Sequence, residues 1–259
     1  MELKRPFSRT LSRLLKPLFL CVFLLAASFV AMGASTPSGV ILVDNFSNAP
    51  GDGALPNGWK KLTFPRKKRH TSYTVDMDGG DRCLKAESHE SASAIYKEMR
   101  IDLHQYQILS WKWKIRNTLK KGDAHTREGD DYPARIYAAF EFQPEKATAI
   151  ERIKHRVLES IYNVAPPGNT ITYIWSNRLP KNSTLPNAFS DRMIMVAVES
   201  GDEQAGRWLR EERNLYEDYR RLFKEEPPML RGVIVMTDSD NTHESTVAWY
   251  DDIVLKRKR

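Results

Sequence analysis

Residues 108–115, ILSWKWKI, set one face against another: Leu109, Trp111, Trp113 and Ile115 alternate with Ser110, Lys112 and Lys114. A period of two is the mark of a half-buried strand. The runs ARIYAAFEF, NTITYIWSNR, RMIMVAVES, GVIVMTD and VAWYDDIVL follow it, several of them rich in β-branched and aromatic residues that suit a pleated surface. Upstream, SGVILVDNFS reads as a strand entering the Gly/Pro/Asn-rich stretch NAPGDGALPNGW. SYTVDMDGGDRCLKAES reads as strand, turn at Asp78-Gly79-Gly80, strand. Many short strands separated by turn signals predict a mostly β fold, an antiparallel β-sandwich.

Two segments carry a helical period instead. From Ala147 to Asn163, Ile150, Ile153, Val157 and Ile161 recur at three- and four-residue steps with Arg152, Lys154 and Arg156 between them, and Pro166-Pro167-Gly168 ends the run. Such a face is expected to pack across the sheet. From Gly206 to Phe223, Leu209, Tyr216, Tyr219 and Phe223 share a side, and KEEPP stops the helix. Both helices read as insertions on the sandwich, and neither an internal repeat nor a long linker divides the chain.

The N-terminus changes the composition. Lys4, Arg5, Arg9, Arg13 and Lys16 precede an apolar run from Leu18 to Met32, with small residues Gly33, Ala34 and Ser35 after it. A basic flank, an apolar run of about fifteen residues and a small-residue exit predict a secretory signal over 1–34, hence a periplasmic or secreted protein. The run is short of the roughly twenty residues a span requires, so an uncleaved anchor is the alternative. Leu20 before Cys21 does not fit a lipoprotein signal. The expected mature part, 35–259, is one sandwich domain and a monomer with no stable membrane span.

The chain is +7, but residues 1–34 hold five basic side chains and one acid, a net +4, which leaves +3 for the rest. So balanced a surface implies no stripe for nucleic acid. The basic clusters Arg66–Arg69 and Lys256–Arg259 read as solvated loop and end. Cys83 is the one cysteine outside the signal, and beside Leu84 it reads as a buried strand thiol.

No His-Glu-x-x-His helix, Gly-x-Ser-x-Gly elbow or Gly-rich phosphate loop is present, and no two histidines stand at metal-ligand spacing. Three polar clusters remain: Asp130, Asp131 and Arg135 in TREGDDYPAR; Arg213, Asn214 and Asp218 in WLREERNLYEDYRR; Asp238, Asp240 and Asn241 in TDSDNTHES. Asp-x-Asp supplies hard oxygens that suit Ca²⁺. His243 at the sixth position excludes an EF-hand and leaves an irregular site or a capped turn. Trp175, with Arg178 beside it at a strand end, is placed to face a cleft.

The motifs WKWKI, GDDYPARIYAAFEF, ITYIWSNR, RMIMVAVESG, EERNLYEDYRRLFKEEPP and GVIVMTDSDNTHESTVAWYDDIVL, in this order, resemble the bacterial family called domain of unknown function 3047 (DUF3047). The resemblance runs from about Leu42 to Leu255 and implies charged motif residues at Asp130, Asp131, Arg135, Trp175, Arg178, Glu212, Arg213, Asn214, Asp218, Asp238, Asp240 and Asn241. It imports no activity. His243 stands where the family pattern implies glycine. More widely, VDNFSN…LPNGWK and VAWYDDIVL are similar to the first and last strands of jelly-roll carbohydrate-binding modules, which implies a jelly-roll-like sandwich with its terminal strands side by side. By position it also implies a structural Ca²⁺ held by Asp44 with Asp251 or Asp252. Two functions follow as expectations: binding of a glycan or other small polyhydroxylated ligand, or a carboxylate-dependent hydrolase acting on envelope polysaccharide. Binding is favoured, since it needs only convergent groups, whereas catalysis also needs a defined acid, base or nucleophile.

Overall fold

The computed structural model describes residues 39–50, 54–65, 67–162, 164–188 and 190–258, so the expected signal at 1–34 lies outside the described residues. The strands and helices follow in chain order as β1 (Val40–Asp44), β2 (Trp59–Leu62), β3 (Ser72–Asp78), β4 (Asp81–His89), β5 (Ala92–Ile101) and β6 (Ile108–Ile115). Next come β7 (Ala134–Phe140), α1 (Ala149–Tyr162), β8 (Thr170–Ser176), β9 (Thr184–Asn187) and β10 (Ser190–Ser200). The last are β11 (Leu209–Asn214), α2 (Leu215–Phe223), β12 (Leu230–Asp238) and β13 (Ser245–Lys256).

They form two sheets. Sheet A has the order β11-β6-β13-β4-β3, with β1 paired to β13; sheet B has the order β2-β5-β12-β7-β8-β10-β9. The fold is the expected mostly β, jelly-roll-like sandwich, and β1 lies antiparallel beside β13. One pair departs from an all-antiparallel arrangement: β10 runs parallel to β8.

The alternation in β6 decides which side of sheet A faces the core. Leu109, Trp111, Trp113 and Ile115 are fully buried there, while Lys112 and Lys114 take the outer face. Trp111 packs on Tyr173 at a ring separation of 5.3 Å, and Trp113 packs on Trp175 at 5.8 Å, which joins the two sheets through aromatic contacts. Leu84, Ile95, Ile136, Phe140, Val235 and Ile253 complete this core. Cys83 is a buried thiol on the outer side of β4, as expected, and burial pushes its pKa up to about 12.

Two helical expectations need correction. WLREER is not helical: Leu209–Asn214 pairs along β6 as an edge strand, and only Leu215–Phe223 coils, capped by Asn214, whose Oδ1 accepts the Glu217 amide. In α1 a capping box between Thr148 and Glu151 starts the helix. The polar side holds it down, with His155 stacked 4.0 Å from Phe142 and Glu151 paired to Arg192. Ile150, Ile153, Val157 and Ile161 face outward and are exposed rather than packed on the sheet.

Candidate functional site

The loop 122–131 folds back on itself before β7. The Asp123 amide donates to the Gly129 carbonyl at 2.9 Å, and a Cβ on Gly129 would stand 2.5 Å from Asp123 N, so glycine is required there. This turn delivers Asp130 and Asp131 inward, beside the end of β12.

Arg135 on β7 and Asp238 on β12 then meet on the face of sheet B turned away from sheet A, with side chains only 4% and 3% exposed. Asp130 lies 3.9 Å from the same guanidinium and accepts from the Asn187 amide at 3.1 and 3.2 Å. Asp131 Oδ2 accepts from the Thr242 amide at 2.6 Å and from its hydroxyl at 2.8 Å. Lys67 bonds Asp240 and, at 3.2 Å, Asn241 Oδ1. Lys67 is therefore docked rather than merely solvated, and Lys67, Asn187 and Thr242 are members that the sequence reading missed. Burial is the main force on these acids and raises the pKa values of Asp130, Asp131 and Asp238, against the pull of Arg135 on Asp130 and Asp238 and of the Thr242 hydrogen bonds on Asp131.

The second charged group is separate. Arg213 donates to both oxygens of Asp218 at 3.0 and 2.9 Å, Arg221 adds a bond at 2.8 Å, and the Tyr173 hydroxyl donates at 2.9 Å. Tyr173 points into the core from β8, whereas Arg135, paired with Ile174, faces out. The two expected clusters thus lie on opposite faces of sheet B and do not meet.

Trp175 faces no cleft; it is fully buried against Trp113, and its Nε1 donates to the Gly201 carbonyl. Arg178 is exposed and donates to the Lys120 carbonyl. Asp44 accepts from Trp59 Nε1 at 2.8 Å and Lys97 Nζ at 3.0 Å, both on sheet B, while Asp251 and Asp252 face Lys112 on sheet A. Asp44, its carboxylate held by sheet B residues, therefore does not converge with the other two. Among the described residues, one set of three acids brings an oxygen from each within 4.8 Å of the others: Asp131, Asp238 and Asp240.

A different place has the form of an open site. On the outer face of sheet A, a cleft of about 280 Å³ lies between the β3–β4 turn and β11, lined by Asp78, Asp81, Lys112, Trp208, Arg210 and Asp251. Lys114 binds Asp78 at 2.6 Å, and its ammonium sits over the Trp249 ring at 4.4 Å and the Trp208 ring at 5.4 Å. Trp208 Nε1 donates to Asp78, which fixes the indole. A bulge between Asp251 and Val254, with Asp252 at φ +47, turns both neighbouring acids to this face. Asp252 takes Lys112 at 2.7 Å and Arg210 at 2.8 Å. Asp251 Oδ1 is buried with no hydrogen-bond partner, and burial, then the Asp252 charge, raises the Asp251 pKa to about 6. The alternating lysines of WKWKI were the sequence signal for this face, and Trp208 gave none.

The carboxylate pair nearest to acid–base chemistry, Glu211 with Glu199, is elsewhere. Glu211 pairs in register with core-facing Trp111, so it projects from the side of β11 opposite Arg210 and the cleft.

The fold and cleft define a β-sandwich with an indole-lined, charge-rich recess on the outer face of sheet A. The chain belongs to the family described as "Protein of unknown function (DUF3047)", whose model matches residues 57–254. No curated protein matches it in sequence. Among solved structures it is similar to a family 30 carbohydrate-binding module of cellulosomal cellulase Cel9D-Cel44B of Clostridium thermocellum. That similarity has 11% identity and a TM-score of 0.39 over 84% of this chain and 98% of that one. It is also similar to the xyloglucanase domain of NopAA from Sinorhizobium fredii, at 8% identity and TM-score 0.40 over 82% and 100%. Trichoderma harzianum endoglucanase 3 of family GH12 gives 9% and 0.38 over 85% and 97%. At these values the similarities assign no residue and no ligand. No helix among the described residues is long and apolar enough to cross a membrane.

Proposed function

We propose that this is an exported, periplasmic binding protein for a glycan or another polyhydroxylated ligand, taken up in the cleft on the outer face of sheet A. One observation carries the reading: a fixed indole, Trp208, stands beside acids and bases that converge on a recess lined by Asp251, Lys112 and Arg210. Sugars present an apolar ring face and a rim of hydroxyls, so an aromatic plane with a few convergent polar groups is what recognises them. A ligand hydroxyl would donate to the Asp251 or Asp252 carboxylate, and Lys112 and Arg210 would donate to ring or hydroxyl oxygens. The groove on the outer face of sheet B, lined by Leu62, Phe64, Tyr137, Ile234 and Met236 among others, is almost wholly apolar and lacks such groups. The basic, apolar and small-residue order of residues 1–34 supports export.

The test is affinity electrophoresis of the purified protein through gels containing individual bacterial envelope polysaccharides. Retardation by at least one of them, lost in Trp208→Ala and kept in the distant Ile153→Ser, is the expected result. Equal mobility in every gel would overturn the proposal.

A further inference from the structure

We propose that Asp131, Asp238 and Asp240 bind a calcium ion, with Asn241 Oδ1 as a fourth protein ligand and Lys67 as the group that the ion displaces. The donors are all hard oxygens, with no imidazole or thiolate among them, which selects an alkaline-earth cation over zinc or copper. One oxygen from each carboxylate lies within 4.8 Å of the other two. Opposite ligands on Ca²⁺, at 2.3–2.6 Å from the ion, are about 4.6–5.2 Å apart, so the three fit one coordination sphere. Mg²⁺ would draw opposite oxygens to about 4.2 Å and demand a regular octahedron, which a cluster fixed by Arg135 and Thr242 does not supply.

Acids gather on many surfaces without an ion, and a second observation separates this group from those. Asp131 is fully buried; Thr242 supplies both bonds to its Oδ2, and its Oδ1 has none. A buried carboxylate oxygen without a donor is costly, and a cation is the partner that removes the cost. Asp238 is also prepared: Oδ2 is taken by Arg135, while Oδ1 accepts only the Tyr132 amide at 3.2 Å. Four carboxylates, Asp130, Asp131, Asp238 and Asp240, gather around two cations, Arg135 and Lys67, so the acids outnumber their cationic partners.

Lys67 is the movable piece. It bonds Asp240 and Asn241, yet its side chain is 39% exposed and can swing to solvent, whereas Arg135 is enclosed. Calcium and the ammonium therefore compete for the same two oxygens.

Isothermal titration of Ca²⁺ into the purified protein tests the site, with Lys67→Met and Asp240→Asn alongside. Both substitutions are at partly exposed side chains, and circular dichroism checks their fold. The expected result is one Ca²⁺ per chain, binding tightened about tenfold or more in Lys67→Met as a repelling charge leaves, binding lost in Asp240→Asn, and a weaker response to Mg²⁺. Absence of heat in both the parent and Lys67→Met would overturn the site. Binding that Asp240→Asn leaves unchanged would place the ion elsewhere, and Mg²⁺ bound as tightly as Ca²⁺ would overturn the choice of metal.

Discussion

Arg213 at the end of β11 holds Asp218 in the first turn of α2 through two parallel hydrogen bonds of 3.0 and 2.9 Å, which ties the helix to the edge of sheet A. Burial by itself would raise the Asp218 pKa, but the bonds from Arg213 and Arg221 outweigh it and hold the carboxyl below its ordinary 3.8. An acid depressed in the folded state adds stability that is complete above 3.8 and is lost as pH falls below it. Asp218→Asn is expected to lower stability by about 2–3 kcal/mol, somewhat under the cost of breaking a fully buried pair because Arg213 is partly exposed. Urea denaturation at pH 7 measures the loss, and the gap between parent and variant should narrow as pH is taken below 3.8.

Glu211 shows the opposite sign. Burial first, then the neighbouring Glu199 charge, raises its pKa from 4.5 to about 7. Its proton stabilises the fold fully below 4.5, and that contribution is lost as pH rises from 4.5 through about 7. Glu211→Gln keeps the neutral form at every pH. Melting temperatures recorded from pH 4.5 to 8 should fall less steeply in this variant than in the parent, and the variant should be the more stable at pH 8.

His243 has a left-handed backbone, φ +56, at the position where the family motif implies glycine. A side chain in that region is strained by about 1 kcal/mol, part of which glycine gives back through a more flexible unfolded chain. The imidazole is exposed and only 4.0 Å from Glu90, a contact of little worth. His243→Gly is therefore expected to gain about 0.5 kcal/mol in denaturant titration, net of the two effects.

The outward stripe of α1 makes a contrast with the core. Ile153 is 59% exposed and Leu84 is fully buried. Ile153→Ser should change stability by no more than about 0.5 kcal/mol, and Leu84→Ala should cost about 2–5 kcal/mol. A loss above 1 kcal/mol for Ile153→Ser would show that the stripe is covered in solution.

Legibility in the sequence followed the range of the forces. The face of β6 was readable because alternation is local and burial obeys it. Leu209–Asn214 was misread because Arg210, Glu211, Glu212 and Arg213 suit a helix surface as well as an edge strand, and pairing with β6, about a hundred residues earlier, decides between them. The acidic motifs at 130–131 and 238–241 were visible, and their meeting is what the β7–β12 pairing enforces. Lys67 was not, since a basic run looks the same solvated or docked. The site on sheet A was hidden for a similar reason: Asp78, Lys114 and Trp208 belong to segments that only the folded sheet brings together.

Strand β13 lies between β6 and β4 and also carries β1. Residues 245–256 thus complete the middle of sheet A, after every other strand of the sandwich has been made. A nascent chain that stops before Ser245 leaves β1, β4 and β6 each without the partner that β13 supplies, and sheet A has no stable way to shut. Such a chain is expected to close only once its final strand is supplied, so that the sandwich forms in one cooperative step.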